Sequence, residues 1–158
     1  MWVIMVMQLL GVSCQAQGIY LQSTSMVSNR SAILEDDGCV AYLYLCKPGT
    51  FIPEREAVVY SRRPPVPKVD WWELSKTGET APISQDIASP TAMVARPSAA
   101  EFTFKWSRDG ESVAILRHGQ ALAFAIPSHL RGYSKAVTRP STLAMPWDQQ
   151  AYESTFGK

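Results

Sequence analysis

Residues 101–126 constrain the fold of this chain most, because apolar and polar side chains alternate there in three short runs. The runs cover residues 101–106, 112–117 and 121–126. A period of two is typical of half-buried β-strands, and the Asp-Gly and His-Gly pairs between the runs are typical of tight turns. The sequence therefore predicts an antiparallel meander of three strands.

The third run has one large apolar face and one small face. Leu122, Phe124 and Ile126 share the first, and the alternate positions are all alanine. Residues two apart on a strand lie on the same face of its sheet. We therefore expect a helix or a second sheet to pack closely on the alanine face.

The best single strand outside the meander is CVAYLYLC at 39–46, which follows the Asp-Gly turn of EDDG at 35–38. It is apolar on both faces, which is typical of a central strand covered on both sides. Shorter strands are predicted at 19–21, 31–34 and 57–60.

Length and composition indicate one globular domain. The chain has 158 residues, of which 46% are hydrophobic and 18% charged, and this is enough apolar content for a core. We predict a mainly β (α+β) fold at 17–158: a single antiparallel sheet, a small sandwich or a partial barrel, with a short C-terminal helix at 149–156. Asp148 is the expected N-cap of that helix.

A proline-rich excursion interrupts the domain at about 62–100. Its low periodicity is typical of a long irregular loop. Within it, residues 69–74 are expected to form a strand, and residues 84–94 one or two helical turns.

The first 16 residues resemble a secretory signal, with an uncharged apolar run followed by small residues. A cut after Ala16 would leave Gln17 first, and the protein would be periplasmic. Lys and Arg are missing before the apolar run, so three alternatives stay open: a weak signal, a true start upstream, or a segment that is the first strand or helix of the fold. In the last case the protein would be cytoplasmic. The run is too short to span a bilayer, and Cys14 is an alternative lipidation site.

Three cysteines are present, and an odd number argues against a simple disulfide framework. Cys39 and Cys46 lie seven residues apart in the predicted strand, so they face opposite ways and should not bond to each other. Both are interpreted as small buried apolar residues.

Several segments together resemble a small uncharacterised bacterial domain family. They are EDDGCVAYLYL at 35–45, FKWSRDGESVAIL at 104–116, RGYSKAV at 131–137 and the pair Trp147-Asp148. The resemblance implies a bacterial origin and a compact β-rich fold, and it brings no established activity. Small domains of this kind often act as immunity or accessory proteins beside secreted toxins, which is an analogy at the level of the family.

The residues that could carry catalysis or bind a metal do not form a recognised pattern in the sequence. Glu35, Asp36 and Asp37 are carboxylates of the kind that a hard cation prefers. A hairpin turn explains these residues without a metal. His118 and His129 lack the spacing of zinc ligands, and no Gly-x-Ser-x-Gly elbow or glycine-rich phosphate loop occurs. The sequence therefore predicts no catalytic residue, no metal and no cofactor.

Trp71 and Trp72 are the main interface candidates. On a strand one would be buried and the other exposed, and an exposed Trp beside Arg62 and Arg63 would anchor a partner. Both rings could instead attach the loop to the sheet.

A second candidate is the stretch 112–146, which contains no Asp or Glu but includes Arg117 and Arg131. It is either a basic face for an acidic partner or an ordinary solvated surface.

Three function hypotheses follow. The first is a non-enzymatic binding protein, specifically an immunity protein that neutralises a cognate bacterial toxin. The second is an envelope accessory domain, structural or lipid-anchored, and the third a small hydrolase with an unrecognised site. The net charge of +1 gives no reason to expect nucleic acid as a partner.

Overall fold

A computed structural model describes residues 16–76 and 81–157 as a mainly β fold of two sheets. The first is an antiparallel meander in which each strand pairs with the next along the chain. Its strands are β1 (Ile19–Thr24), β2 (Ser31–Asp36), β3 (Val40–Cys46) and β4 (Pro53–Ser61). The short strands predicted in this half are confirmed, and β3 is central, between β2 and β4.

The second sheet begins with the predicted three-stranded meander, which is confirmed, and adds two short strands. Its strands are β5 (Phe102–Trp106), β6 (Val113–Arg117), β7 (Gln120–Ala125), β8 (Tyr133–Ser134) and β9 (Met145–Pro146). The pairs are antiparallel except that β9 runs parallel to β8. In the part of the chain that the structure describes, neither sheet closes into a barrel.

The core lies between the sheets. Ala123 and Ala125, on the alanine face of β7, are fully buried in the same cluster as Leu43 of β3 and Val58 of β4. A second sheet therefore occupies the space that the alanines leave, as expected. The two halves approach closely at Gly132, whose N–H donates to the Glu56 carbonyl at 3.0 Å and where any Cβ would collide with β4.

The two faces of β3 are covered unequally. Ala41, Leu43 and Leu45 are fully buried, whereas Tyr42 and Tyr44 on the opposite face are half-buried. The strand is thus covered completely on one side only, and the tyrosines close part of the other.

The large face of β7 is covered by the C-terminal helix, α2 (Gln149–Phe156). The Asp148 carboxylate accepts a hydrogen bond from the Ala151 N–H at 2.9 Å, so the predicted N-cap is confirmed. The Phe124 ring is fully buried beneath an aromatic cluster that it shares with Tyr133, Trp147, Tyr152 and Phe156.

The strand predicted at residues 69–74 is wrong, because these residues belong to a helix, α1 (Lys68–Lys76). The first helical hydrogen bond joins the Trp71 N–H to the Pro67 carbonyl at 3.0 Å. Asp70 in the first turn and Lys76 in the last complement the helix dipole. Residues 84–94, where one or two helical turns are predicted, form hydrogen-bonded turns. In one of them the Ala88 N–H donates to the Ser84 carbonyl at 3.0 Å.

The cysteine predictions are partly confirmed. Cys46 is a buried free thiol, so Cys39 and Cys46 are not bonded to each other, as predicted. Burial raises the pKa of the Cys46 thiol. Cys39 is buried as predicted, but it is disulfide-bonded and so is not simply a small apolar residue. The signal-like leader up to residue 15, with Cys14, lies outside the described residues.

Candidate functional site

Three β-turns meet at one end of the molecule: the β1–β2 turn (25–30), the β3–β4 turn (47–52) and the β5–β6 turn (107–112). The Gly49 N–H donates to the Asn29 carbonyl at 2.8 Å, which joins the first turn to the second. The Ser28 hydroxyl donates to the Gly110 carbonyl at 2.6 Å, which joins the first to the third. We call these three turns the turn platform.

Local turn chemistry shapes each part of the platform. Asn29, Gly49 and Gly110 have positive φ angles of 61°, 69° and 70°, a conformation that Gly adopts freely and Asn tolerates. The Ser25 hydroxyl accepts from the Val27 and Ser28 N–H groups. Each turn is therefore specified by its own residues before it meets the others.

Arg30 holds the three turns together from inside. Its side chain is only 10% exposed, and its Nε donates to Glu111 at 2.6 Å. Its Nη1 donates to Glu54 at 2.9 Å and to the Cys46 carbonyl at 3.1 Å. One guanidinium, with its rigid fork of donors, thus bonds a residue in or beside each of the other two turns.

The electrostatics of Arg30 favour its charged form. Burial by itself lowers the pKa of Arg30, but the hydrogen bonds to Glu111 and Glu54 raise it above the ordinary value. The hydrogen bond from Arg30 in turn lowers the pKa of Glu54. Both shifts favour the charged forms of Arg30 and Glu54, so this ion pair helps to hold the platform.

The platform exposes four large apolar side chains. Met26 is 99% exposed and Val27 70%, both in the β1–β2 turn. Phe51 is 60% exposed and Ile52 58%, both in the adjoining β3–β4 turn. Single exposed apolar residues are ordinary, but four on two joined turns form a patch of the kind found at interaction sites.

Charged side chains of both signs are also exposed on or beside the platform turns. Lys47 and Arg108 are exposed within the platform, and so is Asp109. Glu56, on β4 just beyond the β3–β4 turn, is also exposed. The rim therefore lacks a single sign of charge.

The arginines named from the sequence are mostly engaged within the protein. Arg62 bonds the fully buried Asp36 carboxylate at 2.8 Å, and its own side chain is 10% exposed. Arg117 bonds Glu101 at 2.6 Å. Arg63 and Arg131 are half-buried. The positive charges of Arg62 and Arg117 are thus neutralised by carboxylates of the protein itself.

Of the two tryptophans, Trp72 is 59% exposed and Trp71 is half-buried. Their rings lie 6.1 Å apart on α1. They differ in exposure because successive residues on a helix project about 100° apart, and not because they alternate along a strand.

Of the acidic trio, Asp36 and Asp37 form the predicted turn, whereas Glu35 lies within β2. Asp36 accepts from the Tyr60 hydroxyl at 2.5 Å and from the Gly38 N–H at 2.8 Å. Burial raises the pKa of Tyr60 well above its ordinary value, and the hydrogen bond to Asp36 raises it further. Asp37 accepts from the Cys39 and Val40 N–H groups. Among residues 16–76 and 81–157, His, Cys, Asp and Glu side chains form no group that could hold a metal ion.

The two histidines lie apart from the platform turns in the sequence. His118 is in the β6–β7 turn with its side chain 66% exposed, and its Nε2 is 3.4 Å from Glu101. His129 contacts the Tyr133 hydroxyl through Nδ1 at 2.8 Å.

Sequence reasoning missed the four apolar residues of the platform. A signal was present, because SMVSN and GTFIP place paired apolar residues inside segments rich in turn formers. Residues at the tip of a turn have no sheet to cover them, so apolar pairs there are exposed.

Comparison with known proteins adds no relative: no family model, curated protein or solved structure matches the chain. The resemblance to a bacterial domain family therefore stays a prediction. Within the described residues, neither helix has the length and apolar character needed to cross a bilayer.

Proposed function

We propose that this chain is a non-enzymatic binding protein that docks on another protein through the turn platform. The exposure of Met26, Val27, Phe51 and Ile52 on two joined turns carries the proposal. The turns are held by bonds of the buried Arg30, so little ordering is needed on binding, and preorganised surfaces bind more tightly.

The charges favour a protein partner over a lipid surface. An anionic membrane attracts clustered Lys and Arg, whereas Asp109 and Glu56 are exposed here beside Lys47 and Arg108. A mixed polar rim around apolar residues is the usual composition of a protein–protein interface.

The apolar side chains are large enough to supply affinity. Complete burial of a Phe, Met or Ile side chain is worth about 1.5–3 kcal/mol, and these residues retain more than half of their exposure. Burial of Phe51 and Met26 in a partner's pockets would therefore contribute roughly 1–2 kcal/mol each.

The specific partner that we propose is a bacterial toxin, which this immunity protein would neutralise. Small size and docking by turns rather than through a deep catalytic cleft both suit an inhibitor of this kind. The proposal also follows the family analogy drawn from the sequence.

The test is co-purification of this chain with the product of each adjacent gene, followed by measurement of the affinity of the complex. We expect Phe51→Asp and Met26→Asp each to weaken binding about tenfold or more. Trp72→Asp is the matched control for Phe51→Asp, since Trp72 is about as exposed as Phe51 but lies on α1.

Each outcome separates the parts of the proposal. Loss of binding in Trp72→Asp with full binding in both platform variants would move the interface to α1. Absence of any complex with the adjacent gene products would refute the toxin partner.

A further inference from the structure

A cleft of about 530 Å³ lies where the first turn of α1 meets two loops of the body. Its walls include Lys68 and Trp71 from α1, Asp86 and Ile87 from the excursion, and Arg139 and Leu143 from the loop between β8 and β9. Volumes of this size are typical of sites for small organic molecules.

The cleft has more positive than negative charge. The Asp86 carboxylate accepts from the Ser84 hydroxyl at 2.5 Å and from Arg139 Nη2 at 3.3 Å. Lys68 also acts on this carboxylate through its charge, yet forms no ion pair with any residue in the described part of the chain. Two cations therefore share one carboxylate, and one positive charge is left to attract an anion.

Part of the remaining wall is apolar, and Ser141 and Thr142 line the cleft beside it. Trp71 is half-buried, so part of its ring is accessible in the cleft, and Ile87 and Leu143 lie beside it. An aromatic face close to an uncompensated cation suits a ligand that is planar at one end and anionic at the other.

We infer that this cleft binds a small organic anion with a planar apolar body, of which an aromatic carboxylate is the simplest form. The ring packs on Trp71, and the carboxylate lies between Lys68 and Arg139. This goes beyond the proposed docking function and uses none of the platform residues.

The experiment titrates the whole protein with phenylacetate and, separately, with its neutral analogue phenylacetamide, followed by NMR. We expect phenylacetate to shift the Trp71 indole N–H signal with a dissociation constant on the order of 10 mM or lower, which suits a ligand of this size. The amide should bind about fivefold more weakly, because it cannot use the free positive charge.

Charge variants then locate the anion. Lys68→Gln and Arg139→Gln should each weaken phenylacetate binding about fivefold. Lys76→Gln, at the far end of the same helix, should leave the affinity unchanged. Equal affinity for acid and amide, no shift at Trp71, or an equal effect of Lys76→Gln would overturn the inference.

Discussion

The turn platform and helix α1 each expose large apolar side chains, but the bonds that hold the two regions in place are very different. In the platform, hydrogen bonds join three turns that are far apart in the sequence, and a buried arginine bonds across them. On α1, Val69 and Trp72 are 65% and 59% exposed, and the ion pair between Glu73 and Lys76 lies in solvent. Exposure alone does not define a binding surface, because a rigid support decides how much ordering a partner must impose.

The largest expected difference between the two regions is in stability. Arg30→Met leaves Glu54 and Glu111 without their cation, and breaking a buried ion pair on one side costs about 3–5 kcal/mol. Both carboxylates still reach water, with side-chain exposures of 25% and 43%, so we expect about 2–3 kcal/mol. Urea unfolding followed by circular dichroism measures this loss.

Lys76→Met is the matched control on α1. Its partner Glu73 is 70% exposed, and surface pairs of this kind contribute about 0–0.5 kcal/mol. Equal losses in Arg30→Met and Lys76→Met would contradict the view that the platform is the better supported region.

A somewhat smaller effect is expected from Gly110→Ala, which tests the contact between the turns. Gly110 has a φ of 70°, and an added Cβ would collide with the Ser25 hydroxyl and lie 3.1 Å from the Ser28 nitrogen. Positive φ costs a non-Gly residue about 1 kcal/mol, and the collision should bring the total to roughly 2 kcal/mol.

Gly119→Ala separates these two costs. Gly119 has a similar φ of 77°, but an added Cβ would meet nothing within 4 Å. Thermal unfolding of both variants should show the greater loss for Gly110→Ala, and binding should also weaken there if the first turn is displaced. Identical melting temperatures for the two variants would mean that the turns do not press on each other.

The strands could be predicted from the sequence because their period of two is a local property. The contact between Asn29 and Gly49 could not, since it depends on the register that pairs β1 through β4. The burial of Arg30 was equally inaccessible, because a charged residue in a turn segment is normally solvated. In α1, the stretch 69–74 has only four apolar residues, too few periods to separate helix from strand. Pro67, Asp70 and Lys76 are nevertheless helix-terminus signals that favour the helix.

The smallest expected effect is on the pH dependence of stability. The Arg30 hydrogen bond holds the pKa of Glu54 below its ordinary value of 4.5 in the folded state. A carboxylate whose pKa is depressed by folding stabilises the protein fully above its unfolded pKa, and this contribution is lost as the pH falls through the folded pKa. The free energy of unfolding should therefore decrease below about pH 4.5 partly through Glu54.

Glu54→Gln removes this titration, so the variant should lose less stability than the parent between about pH 6 and about pH 3. Glu56→Gln makes the same charge change on an exposed neighbour and should keep the parent's pH dependence. A reduced slope in Glu54→Gln alone would assign that part of the acid sensitivity to the bond between Glu54 and Arg30 in the platform. The same reduction in Glu56→Gln would show that general surface charge, and not the bond to Arg30, controls it.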